Sequence, residues 1–340
     1  MITQNKVKQI IRELFQTQKY YSSLDLLRGI ASIVVVFFHL TNANEMYLSE
    51  DNIVKNIGAY GFLGVEIFFI ISGFVIPFSM YSKGYKFSKF PEFISKRLIR
   101  LEPPYFISII AVLILDYIST FSSTYIGNAF NTSFLGLIFH LGYINTFFDY
   151  RWLNPVYWSL AIEFQYYIFI ALIYPLFISK NKWSNYLLFL ILISLSFFET
   201  QGIIIQYFLF FSIGILTFKK QTDSIKIKEY LIILSLIYIA ILIKYNFIFF
   251  IASLIPVIFI FFVKNVNIIG KFLGKISYSL YLVHFPLGMK LINVSDNYIQ
   301  NENYRVLFIF FVLIICVFVA WLFYLLIEKK SIKWSQRIIY

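Results

Sequence analysis

The sequence predicts an all-α protein, a polytopic bundle of transmembrane helices with about ten crossings. Hydrophobic residues make up 60% of the 340 residues and charged residues only 14%. A soluble domain is about half apolar and a quarter charged, so the apolar surplus must face lipid. The apolar residues fall into runs of about 20, the length that spans a bilayer. Because lipid leaves no hydrogen-bond partner for the backbone, we expect each run to form a helix.

The predicted spans follow the apolar runs along the chain. The strong candidates are 24–40, 57–80, 103–120, 157–178, 203–218, 229–244, 246–263, 276–293 and 305–327. A further run, 185–198, is shorter but carries no charge. The segment 133–148 is equally short and is interrupted by two glycines, His140 and Asn145. We therefore expect 133–148 to be re-entrant or to lie at the outer surface.

The basic residues orient the bundle, because Lys and Arg accumulate in cytoplasmic loops. With ten crossings and both termini in the cytoplasm, all but five of the 29 basic residues lie inside. The five exceptions are Lys55, Arg151, Lys244, Lys290 and Arg305. If 133–148 also crossed, the basic cluster 219–228 would move outside. The net charge of +12 thus reflects topology and attraction to anionic lipid, and implies no nucleic-acid partner.

The chain is predicted to be one membrane domain over 1–340, with a cytoplasmic segment 1–23 and a cytoplasmic tail 328–340. The first run follows a polar stretch and lacks a small-residue cleavage site, so it is a permanent helix rather than a signal peptide. The segment 2–20 fits either an amphipathic helix on the inner leaflet or a mobile basic tail. No soluble appendage is expected after the last span. The single cysteine, Cys316, excludes a disulfide framework and a cysteine-based metal site.

The first helix carries Arg28 and His39, eleven residues apart. At 3.6 residues per turn this spacing ends about 20° past three turns, so both side chains share one face. The 1.5 Å rise separates them by about 16 Å along the axis. Arg28 alone could extend to the inner headgroups. Together, the pair favours an anion-binding group at the inner mouth and a proton acceptor near the outside.

Two further passages of the first half carry ionisable groups at or near membrane depth, where charges are costly and therefore functional candidates. Glu66 lies in the outer half of the second span, and Ser72 and Gly73 below it leave room for a backbone or a ligand. Arg97 and Arg100 stand three residues apart and suit bidentate phosphate binding, although positive-inside anchoring explains them equally well.

The later spans add Glu163, just inside the span 157–178, and His284, midway along the ninth span, 276–293. Glu163 either orients a histidine or binds a sugar hydroxyl. Ser277 and Ser279 make the ninth span polar, so we expect it to face the bundle. His140 is expected to be structural or interfacial.

The sequence lacks HExxH, a Walker loop, a GxSxG elbow and a dinucleotide fingerprint. ATP-driven transport and serine-type hydrolysis therefore lose support. Group transfer from a phosphate-bearing cytoplasmic donor and proton-coupled transport remain.

At these residues the sequence resembles the acyltransferase-3 family of bacterial integral-membrane acyltransferases. The passages that carry the resemblance, in family order, are LDLLRGIASIVVVFFHL, GFLGVEIFFIISGFVI, RLIRLEPPYF, WSLAIEF and ISYSLYLVHFPL. Glu66 stands where the family more often has Asp, which keeps the carboxylate. Some members carry an extra periplasmic hydrolase-like domain, and a relay through such a domain in cis is not expected here.

The resemblance implies transfer of an acyl group, most often acetyl, from cytoplasmic acetyl-CoA to a hydroxyl of an extracytoplasmic carbohydrate. The carbohydrate would be a lipid-linked or surface glycan such as O-antigen, capsule or exopolysaccharide, and the membrane the bacterial inner membrane. Arg28, Arg97 and Arg100 would hold the CoA phosphates, with Ser72 beside the donor.

The resemblance also assigns the chemistry. His39 would be the general base on the carbohydrate hydroxyl, or would carry the acyl group covalently. Glu66 or Glu163 would orient His39. His284 would lie near the reaction centre without an assigned role, and no metal is needed.

Two other functions stay open. The same residues could form a proton relay in a transporter or flippase for a polysaccharide intermediate, although the spans show no repeat of the kind common in secondary transporters. The chain could also be a non-catalytic component of an envelope polysaccharide machine, although the intact Arg28 and His39 pair disfavours this.

Overall fold

The computed structural model describes residues 21–121, 133–179 and 181–340. Within these ranges every regular element is a helix, which confirms the predicted all-α class. The segment 2–20, for which an amphipathic helix was one alternative, lies outside the described residues.

The α-helices follow the predicted runs in order. They are α1 Ser22–Asn42, α2 Ile53–Gly58, α3 Gly64–Ser82, α4 Phe90–Ser119, α5 Phe134–Leu141, α6 Tyr157–Phe177, α7 Lys182–Ser196, α8 Phe208–Gln221, α9 Ile227–Lys244, α10 Phe247–Phe262, α11 Ile268–Asp296, α12 Glu302–Phe323 and α13 Lys329–Gln336. Single 3₁₀ turns precede α3, α4 and α8, and a π turn, Tyr324–Glu328, joins α12 to α13.

Five helical stretches are long and apolar enough to cross a membrane, which supports a multi-pass membrane protein. They are Ser22–Asn42, Ile53–Ser82, Phe87–Ser119, Tyr157–Phe177 and Glu302–Gln336. The other predicted spans are also helical, but that they cross, and hence the total of ten, stays a prediction. The segment 133–148 forms only the short α5 and the 3₁₀ turn Asn145–Phe148.

Side-chain contacts divide the helix ends into two groups. Lys219, near the end of α8, donates a hydrogen bond to the carbonyl of Phe177, which ends α6. Lys244, which ends α9, donates to the carbonyl of Ser196, which ends α7. Helices α7, α8 and α9 therefore run between two ends of the bundle.

We call the end that carries Lys219 the basic end and the end that carries Lys244 the opposite end. The charge distribution predicts the first to be cytoplasmic and the second extracytoplasmic. Arg28 lies near the start of α1 and His39 near its end, so this helix places one at each end.

Glycines set the two closest helix contacts. A Cβ on Gly274 of α11 would lie 2.4 Å from the Asp25 carbonyl oxygen of α1. A Cβ on Gly73 of α3 would lie 2.4 Å from the Phe211 carbonyl oxygen of α8. Only residues without side chains permit this approach, which holds α1 to α11 and α3 to α8. Every residue of α8 is buried, so α8 lies in the interior of the bundle.

A proline inside a helix frees a backbone carbonyl, because it lacks the N–H that would bond four residues back. In three helices a side chain from another segment supplies the missing donor, as a backbone in lipid requires. The freed carbonyls of Gly73, Ala171 and Leu282 accept from Tyr166 Oη, Tyr85 Oη and Asn154 Nδ2, at 3.4, 3.0 and 3.1 Å. These bonds hold the three helices to the segments beside them. The bond to the Leu282 carbonyl lies two residues before His284.

Candidate active site

Two histidines meet where α1 packs on α11. His39 Nδ1 lies 3.2 Å from His284 Nε2, and the ring centroids are 5.2 Å apart. His284 is fully buried, whereas His39 remains partly exposed. The two helices pack closely at Gly274 against Asp25 and again at Gly288 against Leu40, next to the histidines, and so bring together side chains 245 residues apart.

The hydrogen bonds fix the tautomers of both rings. His284 Nδ1 lies 3.0 Å from the Leu280 carbonyl, so this nitrogen carries the proton and Nε2 is an acceptor. His39 Nδ1 lies 3.0 Å from the Val35 carbonyl and also faces His284 Nε2, so it donates to both. The proton of neutral His39 is therefore on Nδ1. Its Nε2 keeps a lone pair and is available as a base.

Aromatic rings enclose the histidine pair. The Phe285 ring stands edge-on to His39 at 5.1 Å between centroids, and Tyr281 lies 5.8 Å from His284. Neither Glu66 nor Glu163 hydrogen-bonds to His39 among the described residues. The ring that orients His39 is His284, the residue to which the sequence assigned no role.

Glu163 lies in a second polar group. One oxygen, Oε1, accepts hydrogen bonds from Ser72 Oγ at 2.8 Å and from Tyr167 Oη at 2.6 Å. This contact joins α3 to α6 and places Ser72, expected beside the donor, against Glu163. Glu66 is buried, and its Oε2 has no hydrogen-bond partner in the described part of the chain. Six residues of helix separate Glu66 from Ser72, so they point to different faces.

The three predicted anion-binding arginines line one cavity of about 820 Å³. Its polar lining residues are Arg28, Arg97, Arg100, Ser72, Ser159, Glu163, Tyr167, Ser277, Tyr278 and Tyr281. The arginines therefore share a cavity with Ser72, which the sequence placed beside them, and with Glu163, which the sequence placed beside His39. Tyr281 lines this cavity and also lies against His284, so the cavity extends from the arginines toward the histidine pair.

Arg97 is held in a defined orientation. Its guanidinium carbon lies 5.4 Å from the centroid of the Phe93 ring and 5.5 Å from that of Tyr167. The side chain is 8% exposed, and its Nε has no hydrogen-bond partner among the described residues. A buried guanidinium with an unused donor is ready to bind an anion.

A buried carboxylate that the sequence pattern does not indicate is Glu328, which ends the π turn. Its carboxylate accepts from the Ser279 hydroxyl at 2.5 Å and from the Ser279 backbone N–H at 3.2 Å. Glu328 is 4% exposed, and π turns are frequent at functional sites. Two lysines directly follow it in the sequence, so it resembled the start of a polar tail.

His140 has a structural role, as expected. The Leu153 N–H donates to its Nε2 at 2.9 Å, and its Nδ1 lies 2.7 Å from the Gly136 carbonyl. Burial lowers the pKa of His140, which favours this neutral, doubly bonded ring. In the described ranges, no group of three or more His, Cys, Asp or Glu side chains is placed to hold a metal ion.

Comparisons with known proteins agree with the resemblance seen in the motifs. A family model described as an acyltransferase domain matches residues 21–325. The O-acetyltransferase OatA of Staphylococcus aureus strain NCTC 8325 is 28% identical over 342 residues, which cover 85% of this chain and 54% of OatA. OatA of strain COL gives the same values. The chain thus spans about half the length of these relatives. No solved structure matches it.

Proposed function

Because the chain belongs to the acyltransferase-3 family, whose model covers residues 21–325, we propose that it is a membrane O-acyltransferase. It moves an acyl group, acetyl in the first instance, from acetyl-CoA at the basic end to a hydroxyl of a carbohydrate at the opposite end. The carbohydrate is a lipid-linked or surface glycan, and the membrane is the bacterial inner membrane.

One observation carries this proposal: the partly exposed residue His39 keeps an unprotonated Nε2 while its Nδ1 is held by His284. A base used for proton abstraction needs a defined free lone pair, and this contact supplies it. The arginine-lined cavity begins on the same helix about 16 Å away and extends toward the pair through Tyr281. The thioester arm of the donor occupies this path.

In the proposed reaction, the oxygen of the carbohydrate hydroxyl attacks the thioester carbonyl carbon, and His39 Nε2 accepts the proton of that hydroxyl. The tetrahedral intermediate collapses, the carbon–sulfur bond breaks, and the CoA thiolate takes the proton from His39. During this cycle the Nδ1–H of His39 continues to donate to His284 Nε2, which stabilises the imidazolium. His284 is thus a positioning residue rather than a catalytic one.

The arginines bind the anionic donor. Arg28, Arg97 and Arg100 face one cavity, where low dielectric strengthens their attraction to phosphate. Glu163 holds Ser72 and Tyr167 on the wall of that cavity and shapes the donor path. Transfer through an acyl-histidine is the alternative that the free Nε2 also permits. Trapping labelled acetyl on His39 in the absence of carbohydrate would favour it.

The experiment that tests the function compares cells carrying wild type, His39→Ala or no copy. Mass spectrometry and proton NMR measure ester on the purified surface glycan. We expect the ester to require wild type and to be lost equally in the other two, with His39→Ala protein still present in the membrane. If the ester is unchanged and the amount of glycan falls without the protein, transport replaces acyl transfer as the function.

A further inference from the structure

A second cavity opens at the basic end, next to the arginine-lined one. Its empty space, including the part open to solvent, is about 540 Å³, and it is lined by Ser79, Lys83, Lys96, Arg97, Arg100, Ile332, Ser335 and Gln336. Arg97 and Arg100 line both cavities, so they form the wall between them. Helix α13 supplies the last three residues and closes one side.

The lining of this cavity is strongly cationic. Four of its residues carry a positive charge, and none of the described residues that line it is acidic. Lys83 and Lys96 also share one aromatic ring: their Nζ atoms lie 4.7 and 5.6 Å from the centroid of Tyr340. Lys96 additionally donates to the Ile338 carbonyl at 2.6 Å, which fixes its position.

Four other lysines of the described chain are paired with carboxylates, unlike these two. Lys55, Lys89, Lys220 and Lys290 each lie within 3.3 Å of a carboxylate oxygen. Lys83 and Lys96 have no carboxylate within salt-bridge distance in the described residues. Partial burial and then the charge of Arg97 lower the pKa of Lys83. Like charges held together without counter-charge repel each other, and a polyvalent anion removes that cost.

We propose that Lys83 and Lys96, together with Arg97 and Arg100, form a phosphate-binding subsite that receives the nucleotide phosphates of acyl-CoA. This inference rests on the proposed function and adds Lys83, Lys96 and the wall of α13 to the donor site. The phosphates occupy the outer, cationic cavity, and the thioester arm passes Arg97 and Arg100 into the 820 Å³ cavity. Phospholipid headgroups carry the same chemistry and are the competing source of phosphate.

The test uses the full chain in neutral phosphatidylcholine nanodiscs, with two donors. Acetyl-CoA carries the nucleotide phosphates, and acetyl-pantetheine carries the same thioester arm without them. For the Lys83→Gln, Lys96→Gln double variant we expect KM for acetyl-CoA to rise about tenfold or more, because charge-assisted phosphate contacts are lost. KM for acetyl-pantetheine and kcat for both donors stay at wild-type values.

Two control variants separate charge from folding. Lys83→Arg with Lys96→Arg keeps both charges and should retain a KM for acetyl-CoA close to wild type. Lys89→Gln removes an exposed lysine of the same connection, one paired with Glu92, and should leave both KM values unchanged. An unchanged KM for acetyl-CoA in the double Gln variant overturns the proposal, and so does an equal rise for both donors.

The competing source is tested by adding phosphatidylglycerol to the nanodiscs. If phospholipid headgroups are what binds at the subsite, the anionic lipid stabilises wild type but not the double Gln variant. KM for acetyl-CoA is then the same in wild type and in the variant. That result overturns the donor assignment. If wild type transfers acetyl from neither donor, the proposed function fails. Binding of adenosine 3′,5′-bisphosphate, measured by thermal shift, then tests the subsite by itself, and an equal shift in wild type and the double Gln variant overturns it.

Discussion

The side-chain amide of Asn154 donates a hydrogen bond to the backbone carbonyl of Leu282 at 3.1 Å. Pro286 leaves that carbonyl without its helical donor, and Asn154 is 1% exposed, so water does not replace the bond. Leu282 precedes His284 by two residues. The segment just before α6 therefore fixes α11 at the point where it presents His284 to His39.

We expect Asn154→Ala to lower the free energy of unfolding by about 1–3 kcal/mol, because a buried carbonyl is left unsatisfied. Thermal unfolding of the purified protein, followed by tryptophan fluorescence, measures the change. Asn293→Ala removes only an exposed contact with Asn44 and should have little effect.

A double-mutant cycle tests why Asn154→Ala lowers the free energy of unfolding. In a Pro286→Ala background the backbone N–H of residue 286 can bond to Leu282, so Asn154→Ala should cost less there. An equal cost in both backgrounds would show that Asn154 stabilises the protein in another way.

The contact between His39 and His284 predicts distinct kinetics for the two residues. His284→Leu removes one of the two acceptors of His39 Nδ1 and leaves only the Val35 carbonyl, so the orientation of Nε2 is less well fixed. We expect kcat to fall by about ten- to a hundredfold, with KM for acetyl-CoA unchanged. His284→Gln keeps an acceptor oxygen and should retain more of kcat than His284→Leu. Steady-state kinetics with purified protein would refute the positioning role if both variants matched wild type.

The sequence predicts the helices well because hydropathy is a local property. Each predicted run lies on a helix, and the shared face of Arg28 and His39 follows from helix geometry alone. The pairing of His39 with His284 does not follow, because it depends on packing at Gly274 between helices far apart in the chain. Nothing near either histidine in the sequence indicates the other.

The contacts of the carboxylates also depend on packing between helices that are far apart in the sequence. The sequence predicts a functional role for Glu163, but its partner Ser72 lies 91 residues away on another helix. It therefore cannot show that Glu163 bonds to Ser72 rather than to His39. Hydropathy does not indicate a role for Glu328, because it marks only the end of a span at this position. The π turn that carries Glu328 inward has no sequence signal.

The surroundings of Arg97 predict that lysine cannot replace arginine at this position. Its guanidinium lies between the rings of Phe93 and Tyr167, a geometry that an ammonium group does not reproduce. We expect Arg97→Lys to raise KM for acetyl-CoA about tenfold while kcat stays within about twofold. Arg151→Lys, an exposed site at the opposite end, is the matched control. A wild-type KM in Arg97→Lys would remove Arg97 from the donor site.

The contact of α3 with α8 predicts that Gly214 accepts no larger residue. A Cβ on Gly214 would lie 2.2 Å from the Ile70 carbonyl oxygen, and backbone cannot move aside as a side chain can. We expect Gly214→Ala to destabilise the protein by about 1–3 kcal/mol or more. It should also lower activity, since the helix it displaces carries Ser72. Gly142→Ala, where a Cβ meets only ordinary contacts at 3.4 Å, is the control for both measurements. Wild-type melting temperature and activity in Gly214→Ala would mean that α3 and α8 are less closely packed than the structure shows.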